Sequence, residues 1–189
     1  MSVLSDIFEV DTYDRTVQKL GEMNHARTQH ACILIARSEI DEHGRKTYAR
    51  AVLISGGVSV TNDSQTIVKE VELFVLDDKK SIDLAKKMEK PRFKHRMIQL
   101  GEEIFALGGD TEIGTTNSIE KFNFHTDSDI DSLNTGIWTN HPRTLRSSST
   151  SDLTVAALPK DAVECNSEPC KCGKSQQNRI VGGTVVGSS

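Results

Sequence analysis

The chain has 189 residues, a formal net charge of −4 at pH 7 and 26% charged residues. This length suits one ordinary domain of about 100–200 residues. The mild negative charge gives no electrostatic basis for binding nucleic acid or an anionic membrane. No run of about 18 apolar residues occurs, so no membrane-spanning helix is predicted. The first residues lack a basic start and a long apolar core, so no secretory signal is predicted either.

The first segment, residues 1–22, is predicted to end a structural unit that begins earlier than the sequence given. Ile7–Val10 has the composition of a short strand, and Asp11–Asp14 that of a turn. We therefore expect a strand entering a loop here.

An arginine–histidine motif then occurs twice, which predicts two units, residues 23–87 and 88–137. It reads Met-Asn-His-Ala-Arg-Thr-Gln-His at residues 23–30 and Met-Glu-Lys-Pro-Arg-Phe-Lys-His at residues 88–95. Each copy runs through an apolar stretch into a double glycine and then a short apolar strand that contains an acid. Internal repetition outranks other signals, because one unit predicts the architecture of the whole. The residues assigned repeat-structural roles are Arg27, His30, Gly56, Gly57, Arg92, His95, Gly108, Gly109 and Trp138.

Each copy is predicted to contain a hairpin before its double glycine. In the first copy, an apolar run at His30–Ala36 and a second at Ala51–Ser55 flank a long polar tip, and Cys32 is expected to be a buried thiol. In the second copy the two strands are joined by a short loop at residues 101–103. Residues 78–87 are predicted to hold a polar connection and an outer strand.

The double glycines have a predicted physical role. Glycine adopts positive φ readily and has no Cβ atom, so the chain can bend sharply where another backbone lies close. Because both pairs occupy the same place in a repeat, we expect specific bends rather than ordinary surface turns.

A third copy begins at Trp138 and is incomplete. Residues 138–146 match the start of a unit, and Leu153–Leu158 is predicted to be a strand, but no double glycine follows. Residues 138–164 are therefore assigned to a degenerate partial repeat. Residues 165–189 are polar and cysteine-containing, and are predicted to form a flexible, disordered tail.

These residues resemble the kelch repeat over roughly residues 7–160. The match rests on the double glycines, on Val71-Glu-Leu-Phe and Ile119-Glu-Lys-Phe, and on Trp138. Val17 and Ile82 stand where a tryptophan is frequent in that family. The resemblance implies an all-β fold: a partial kelch-type β-propeller with about two complete four-stranded antiparallel blades and parts of two more. Propellers close with four to eight blades, so we expect a fragment or an arc that another chain completes.

The resemblance also implies a binding module without catalytic residues or cofactor, whose loops recognise another protein. The expected contact regions are Ser38–Arg50, Val58–Thr66 and Asp110–Asn117, because recognition residues lie most often on loops of a rigid scaffold. A stand-alone kelch module would be cytoplasmic. Asn62 begins an Asn-x-Ser sequence and is a candidate glycosylation site if the chain is secreted.

The tail resembles the activation junction of a trypsin-like serine peptidase zymogen. Cys172-Gly173 precedes Arg179, Ile180, Val181, Gly182 and Gly183, and the resemblance implies cleavage after Arg179. The alternative function is therefore the non-catalytic pro-region of a mosaic, secreted serine endopeptidase, covalently tethered to its catalytic domain. That family's catalytic motifs are absent from this sequence, so no catalytic residue is assigned.

Three cysteines cluster in this tail: Cys165, Cys170 and Cys172. They are candidates for disulfide bonds in an oxidising compartment, and their odd number implies a partner elsewhere. No fourth ligand and no Cys-x-x-Cys pair accompanies them, so no metal site is expected.

Overall fold

The computed structural model describes residues 4–40, 43, 46–61, 64–101, 103–123, 136–146, 154–158 and 179–183. Every regular element in these ranges is a β-strand, and every strand pairing is antiparallel. The all-β class predicted from the sequence is confirmed. A search of these residues for a helix able to cross a membrane finds none.

The chain begins with a hairpin of β1 (Asp6–Asp11) and β2 (Thr16–Glu22). Asp11 shapes its turn, because one carboxylate oxygen accepts hydrogen bonds from the backbone N–H groups of Tyr13 and Asp14 at 2.8 and 2.9 Å. These bonds lower the pKa of Asp11. The strand predicted at Ile7–Val10 and the turn after it are confirmed.

A four-stranded sheet follows, here called sheet 1. Its strands are β3 (Ala31–Ile40), β4 (Lys46–Ser55), β7 (Val71–Val75) and β8 (Lys80–Asp83), paired in that order. Between β4 and β7 the chain forms a separate hairpin of β5 (Val58–Thr61) and β6 (Ser64–Ile67). The outer strand predicted within residues 78–87 is β8.

Sheet 2 repeats this order with β9 (Arg96–Leu100), β10 (Glu103–Leu107), β13 (Ser118–Asn123) and β14 (Ile137–Thr144). A short hairpin of β11 (Asp110–Thr111) and β12 (Gly114–Thr115) takes the place of β5–β6. Trp138 lies in the outermost strand of sheet 2, because its strand pairs with β13.

Two further strands, β15 (Thr154–Leu158) and β16 (Arg179–Gly183), pair with each other. The strand predicted at Leu153–Leu158 is therefore confirmed from residue 154 onward. The prediction of a disordered tail is wrong at residues 179–183, because their backbone groups pair with β15. The other tail residues, with Cys165, Cys170 and Cys172, lie outside the described ranges, as does Asn62.

The hairpin β1–β2, sheet 1 and sheet 2 stack in layers with apolar side chains between them. Between the two sheets the core includes Leu53, Leu73, Ile104, Phe122 and Trp138. The other face of sheet 1 packs Ile54 and Phe74 against Met23, Ile7 and Leu20, and the other face of sheet 2 buries Ile98, Phe105, Leu107 and Ile119. Strand β3 lies beside β9, and β9 lies beside β15.

One part of sheet 1 is uncovered. Strand β2 contacts β8, and the hairpin β1–β2 packs on Ile54 of β4 and Phe74 of β7, so its described residues lie over β4, β7 and β8 and leave β3 uncovered. Among the described side chains of β3, Cys32 and Leu34 therefore face solvent, and Leu34 is 55% exposed. The prediction that Cys32 is a buried thiol is wrong for this reason. Its neighbours still partly desolvate the sulfur, and this raises the pKa of the Cys32 thiol.

Candidate functional site

The repeated arginine of the first unit forms a buried ion pair. Arg27 Nη2 donates to the carboxylate of Glu72, and both side chains are 0% exposed. The same guanidinium donates from Nη1 to the carbonyls of Gly56 (3.0 Å) and Glu70 (2.8 Å), and from Nε to that of His25 (3.1 Å). Arg27 thus joins the double glycine to the third strand of sheet 1.

Arg92 has the same surroundings in the second unit. It pairs with buried Glu120 and donates from Nη1 to the carbonyls of Gly108 (2.8 Å) and Ser118 (3.1 Å), and from Nε to that of Lys90 (3.2 Å). Nη2 also bonds the Ser118 hydroxyl at 2.9 Å. Burial lowers the pKa of both arginines, and the paired carboxylates oppose that shift. Every guanidinium nitrogen of both arginines donates a hydrogen bond within the fold, so these side chains hold the fold together.

Both carboxylates also bind the segment that precedes each arginine. A buried carboxylate is tolerated only when its charge and lone pairs are satisfied. The four backbone N–H donors belong to Asn24 and His25, at 2.6 and 3.1 Å from Glu72, and to Glu89 and Lys90, at 2.8 and 3.0 Å from Glu120. The sequence gives one indication of the role of Glu72 and Glu120, namely that they occupy equivalent positions in the two copies of the repeat.

The double glycines adopt the bends predicted for them. Gly56 and Gly108 have φ of 61°, and Gly57 and Gly109 have φ of 97° and 94°. A Cβ added at Gly57 would lie 2.7 Å from the carbonyl oxygen of Thr28, and one at Gly109 would lie 2.6 Å from that of Phe93. The second glycine of each pair is thus required by both conformation and space.

The repeated histidines lie where the two units meet. His95 is fully buried, and its Nε2 is 2.9 Å from the hydroxyl of Ser55, which bonds the sulfur of Met97. Burial lowers the pKa of His95 to about 3, and the positive charge of Arg92 adds to the shift. Burial likewise lowers the pKa of His30. Because Ser55 is also fully buried, no substrate reaches this serine–histidine pair, and it serves to pack the sheets.

The predicted contact regions lie at two opposite ends of the sheets. Since β3 and β4 are antiparallel, their turn within Ser38–Arg50 lies at one end, here called the tip end. Hairpins β5–β6 and β11–β12 lie at the other, here called the hairpin end. Isolated bridges hold their bases: Val58 pairs with Thr28, and Asp110 pairs with Phe93. Of the three predicted contact regions, Val58–Thr66 and Asp110–Asn117 therefore share an end, and Ser38–Arg50 lies at the opposite end.

The hairpin end carries a cleft and an exposed apolar tip. The cleft, of about 430 Å³, lies between hairpin β5–β6 and the segment before Arg27. It is lined by Asn24, His25, Ala26, Ser59, Thr61, Thr66, Ile67, Val68 and Glu70. Its acid, Glu70, has a lowered pKa, chiefly because Lys87 donates to it at 2.7 Å. In the neighbouring hairpin, Ile113 is 99% exposed.

One group of three potential metal ligands occurs within the described ranges, beside this cleft. His25, Glu72 and Asp83 each place a ligand atom within 4.8 Å of the others. His25 Nε2 lies 3.1 Å from Asp83 Oδ2. Neither His25 nor Asp83 was among the residues singled out from the sequence, because they lie far apart in the chain and outside any metal-binding motif.

The five residues of the proposed activation junction, Arg179–Gly183, form β16. The register pairs Arg179 with Leu158 and Ile180 with Ala157. The bond after Arg179 therefore lies within a paired strand.

Comparison with known proteins identifies no family. No family model matches the sequence, and no curated protein is detectably similar to it. A solved structure described as "Structure of YjhT" matches with 11% sequence identity and a TM-score of 0.46, over 74% of this chain and 51% of that one. The chain thus spans about half the length of that protein, and a likeness of this degree establishes neither family nor activity.

Proposed function

We propose that this chain is a non-catalytic, kelch-type protein-recognition module that binds a partner protein through its hairpin end. The observation that supports this proposal is that hairpins β5–β6 and β11–β12 have the same buried contacts at their bases but different tips. Arg27 and Arg92 bind the carbonyls of the glycines from which each hairpin departs. The two hairpins then differ in length and sequence, as expected of loops that carry recognition on a common scaffold.

The hairpin end offers both apolar and polar groups to a partner. Ile113 projects fully into solvent, and the cleft presents the hydroxyls of Ser59 and Thr61 with the carboxylate of Glu70. Apolar contact groups surrounded by polar ones are the usual composition of a protein-binding surface. In this proposal Ile113 enters an apolar pocket of the partner.

The test compares the two ends of the sheets. A photo-crosslinking residue at position 112 of the full chain, next to Ile113 and also exposed, identifies the partner, and affinity is then measured with purified partner. Ile113→Asp should weaken binding by about tenfold or more, the effect of losing a hot-spot residue. Tyr13→Asp is the matched control, because Tyr13 is 93% exposed at the opposite end. Equal losses in both variants, or none in Ile113→Asp, would contradict the proposal.

The tail supports a second proposal, that the module precedes the catalytic domain of a trypsin-like peptidase. It rests on Cys172-Gly173 followed by Arg179-Ile-Val-Gly-Gly. Since Arg179 is strand-paired, trypsin should release a fragment beginning at Ile180 only slowly, and Leu158→Pro, which removes a backbone donor from β15, should accelerate release. Coding sequence beyond residue 189 with catalytic His, Asp and Ser motifs would support this proposal, and an immediate stop codon would refute it.

A further inference from the structure

The two units place different side chains around the same buried ion pair. The backbone N–H of His25 bonds Glu72 as that of Lys90 bonds Glu120. In the strand register, Asp83 lies opposite Glu72 and Asn140 lies opposite Glu120. The first unit therefore has an imidazole and a carboxylate where the second has an ammonium and an amide. The framework is shared, and the ligand-type side chains occur in the first unit alone.

From this arrangement we propose that His25, Asp83 and Glu72 form a binding site for a divalent transition-metal ion, of which Zn²⁺ is the best match. Imidazole nitrogen and carboxylate oxygen bind Zn²⁺ at about 2.0–2.2 Å, which places neighbouring ligand atoms about 3–3.5 Å apart. His25 Nε2 and Asp83 Oδ2 are 3.1 Å apart, a distance that matches the separation of two atoms that bind the same ion.

Glu72 has a lone pair for a third bond. Its Oε1 is occupied by Arg27 and by the backbone N–H of His25, whereas Oε2 accepts one bond in the described structure, from the N–H of Asn24. Each carboxylate oxygen accepts about two bonds. Glu72 is fixed by these contacts, so the half-exposed side chains of His25 and Asp83 supply the small movements that close the site.

The charges and surroundings also suit a cation. Arg27 is paired with Glu72, and no lysine or arginine among the described residues forms an ion pair with Asp83. The Asn24 side-chain amide donates to Asp83 Oδ1 at 3.1 Å and so orients the carboxylate from outside the site. Three protein ligands leave a fourth position for water or for a partner's side chain. The ion would join β8 to the segment that lines the cleft.

Titration calorimetry of the full chain with ZnCl₂ tests the site. Every arm carries Cys165→Ser, Cys170→Ser and Cys172→Ser, so that any Zn²⁺ bound by tail thiolates is excluded from the measured stoichiometry. The parent should bind one ion per chain, and His25→Ala and Asp83→Asn should each weaken binding by about tenfold or more. Lys90→Ala, the equivalent change in the second unit, should leave affinity unchanged. No binding by the parent, or unaltered binding by His25→Ala, would overturn the proposal.

A transplant tests the geometric argument itself. Lys90→His with Asn140→Asp places the same ligand types around Glu120, and the chain should then bind two ions. A stoichiometry that stays at one would show that equivalent positions do not form a site, and would count against the proposal. Glu72 is left unchanged in all arms, because removing it would leave the Arg27 charge buried and unpaired. Circular dichroism without metal should be the same for every variant.

Discussion

Sheet 1 and sheet 2 cover equivalent phenylalanines in different ways. In sheet 2, Phe122 pairs across strands with Trp138, and their ring centroids lie 5.1 Å apart. In sheet 1, Phe74 pairs with Ser81, and its ring is covered by the hairpin β1–β2 instead. A Cβ added at Gly21 would lie 2.8 Å from that ring. In sheet 2 a tryptophan of the same sheet covers the phenylalanine, whereas in sheet 1 the neighbouring hairpin β1–β2 covers it.

This difference separates a buried polar framework, which the two units share, from a covering of side chains over the phenylalanines, which differs between them. Both units keep the arginine–glutamate pair and the double glycine, which satisfy backbone groups that no apolar contact could satisfy. The side chains over the phenylalanines differ, since apolar burial is non-directional and several shapes supply it. Changes to the framework should therefore cost far more than changes to the covering, and should cost similar amounts in both units.

The largest effect is expected from breaking a buried ion pair. Arg92→Met leaves the Glu120 carboxylate buried without its cation, and Arg27→Met does the same to Glu72. Each variant should lose about 3–5 kcal/mol of unfolding free energy, measured by urea denaturation. Arg96→Met is the control and should lie within about 0.5 kcal/mol of wild type, because Arg96 is exposed. A large loss of unfolding free energy in only one of these two variants would show that the two ion pairs do not contribute equally to stability.

The glycines should give the next largest effect. Gly57→Ala and Gly109→Ala combine positive φ with a Cβ that meets a carbonyl oxygen at 2.7 or 2.6 Å. We expect each to cost about 2–4 kcal/mol, because backbone strain and a steric clash add. Gly101 has φ of 65° with no atom within 4 Å of an added Cβ, so Gly101→Ala isolates the conformational cost of about 1–2 kcal/mol. Equal losses in all three variants would show that close approach is unimportant.

The buried histidine predicts a dependence of stability on pH. The pKa of His95 is about 3 in the folded chain and about 6.5 when unfolded. Between these values the unfolded chain binds a proton that the folded chain does not, so stability is highest above pH 6.5 and falls as pH drops toward 3. From pH 7 to pH 5, this histidine should account for a loss of about 2 kcal/mol.

Comparison with His95→Asn measures that contribution. The variant should lose about 2 kcal/mol less than wild type between pH 7 and pH 5 in urea denaturation. His30→Asn should change the profile in the same direction but less, because His30 is only partly buried. If wild type and His95→Asn show the same pH profile, His95 is not held neutral at the contact between the sheets.

The sequence was a good guide to local structure. Strand positions, the hairpins and the bends at Gly56-Gly57 and Gly108-Gly109 follow from residue type and repetition. Kelch identity, partner binding and the activation junction stay predictions, because they rest on resemblance.

Features set by distant contacts were not predictable. The pairing of Arg27 with Glu72 joins two residues that are 45 positions apart in the sequence. Cys32 is exposed because the hairpin β1–β2 does not extend over β3. The place equivalent to Trp138 was assigned to Ile82, but the strand register puts Ser81 there. A shift of one residue moves a side chain to the other face of a sheet, and only the pairing itself reveals it.

The smallest effect is expected at this Ser81 position, where the covering of sheet 1 is held by a polar contact. The Ser81 hydroxyl donates to the backbone carbonyl of Glu22 at 2.9 Å and so ties β8 to the hairpin β1–β2. Ser81→Ala should cost about 1 kcal/mol or less, the net value of one hydrogen bond. Because the loss concerns docking of one element, it should appear as local opening, with amides of β2 exchanging hydrogen a few times faster. Amides of β10 in sheet 2 serve as the internal control and should keep their wild-type rates. Uniformly faster exchange in both sheets would mean that the hairpin and sheet 1 unfold as one unit with sheet 2, and that covering and framework cannot be separated energetically.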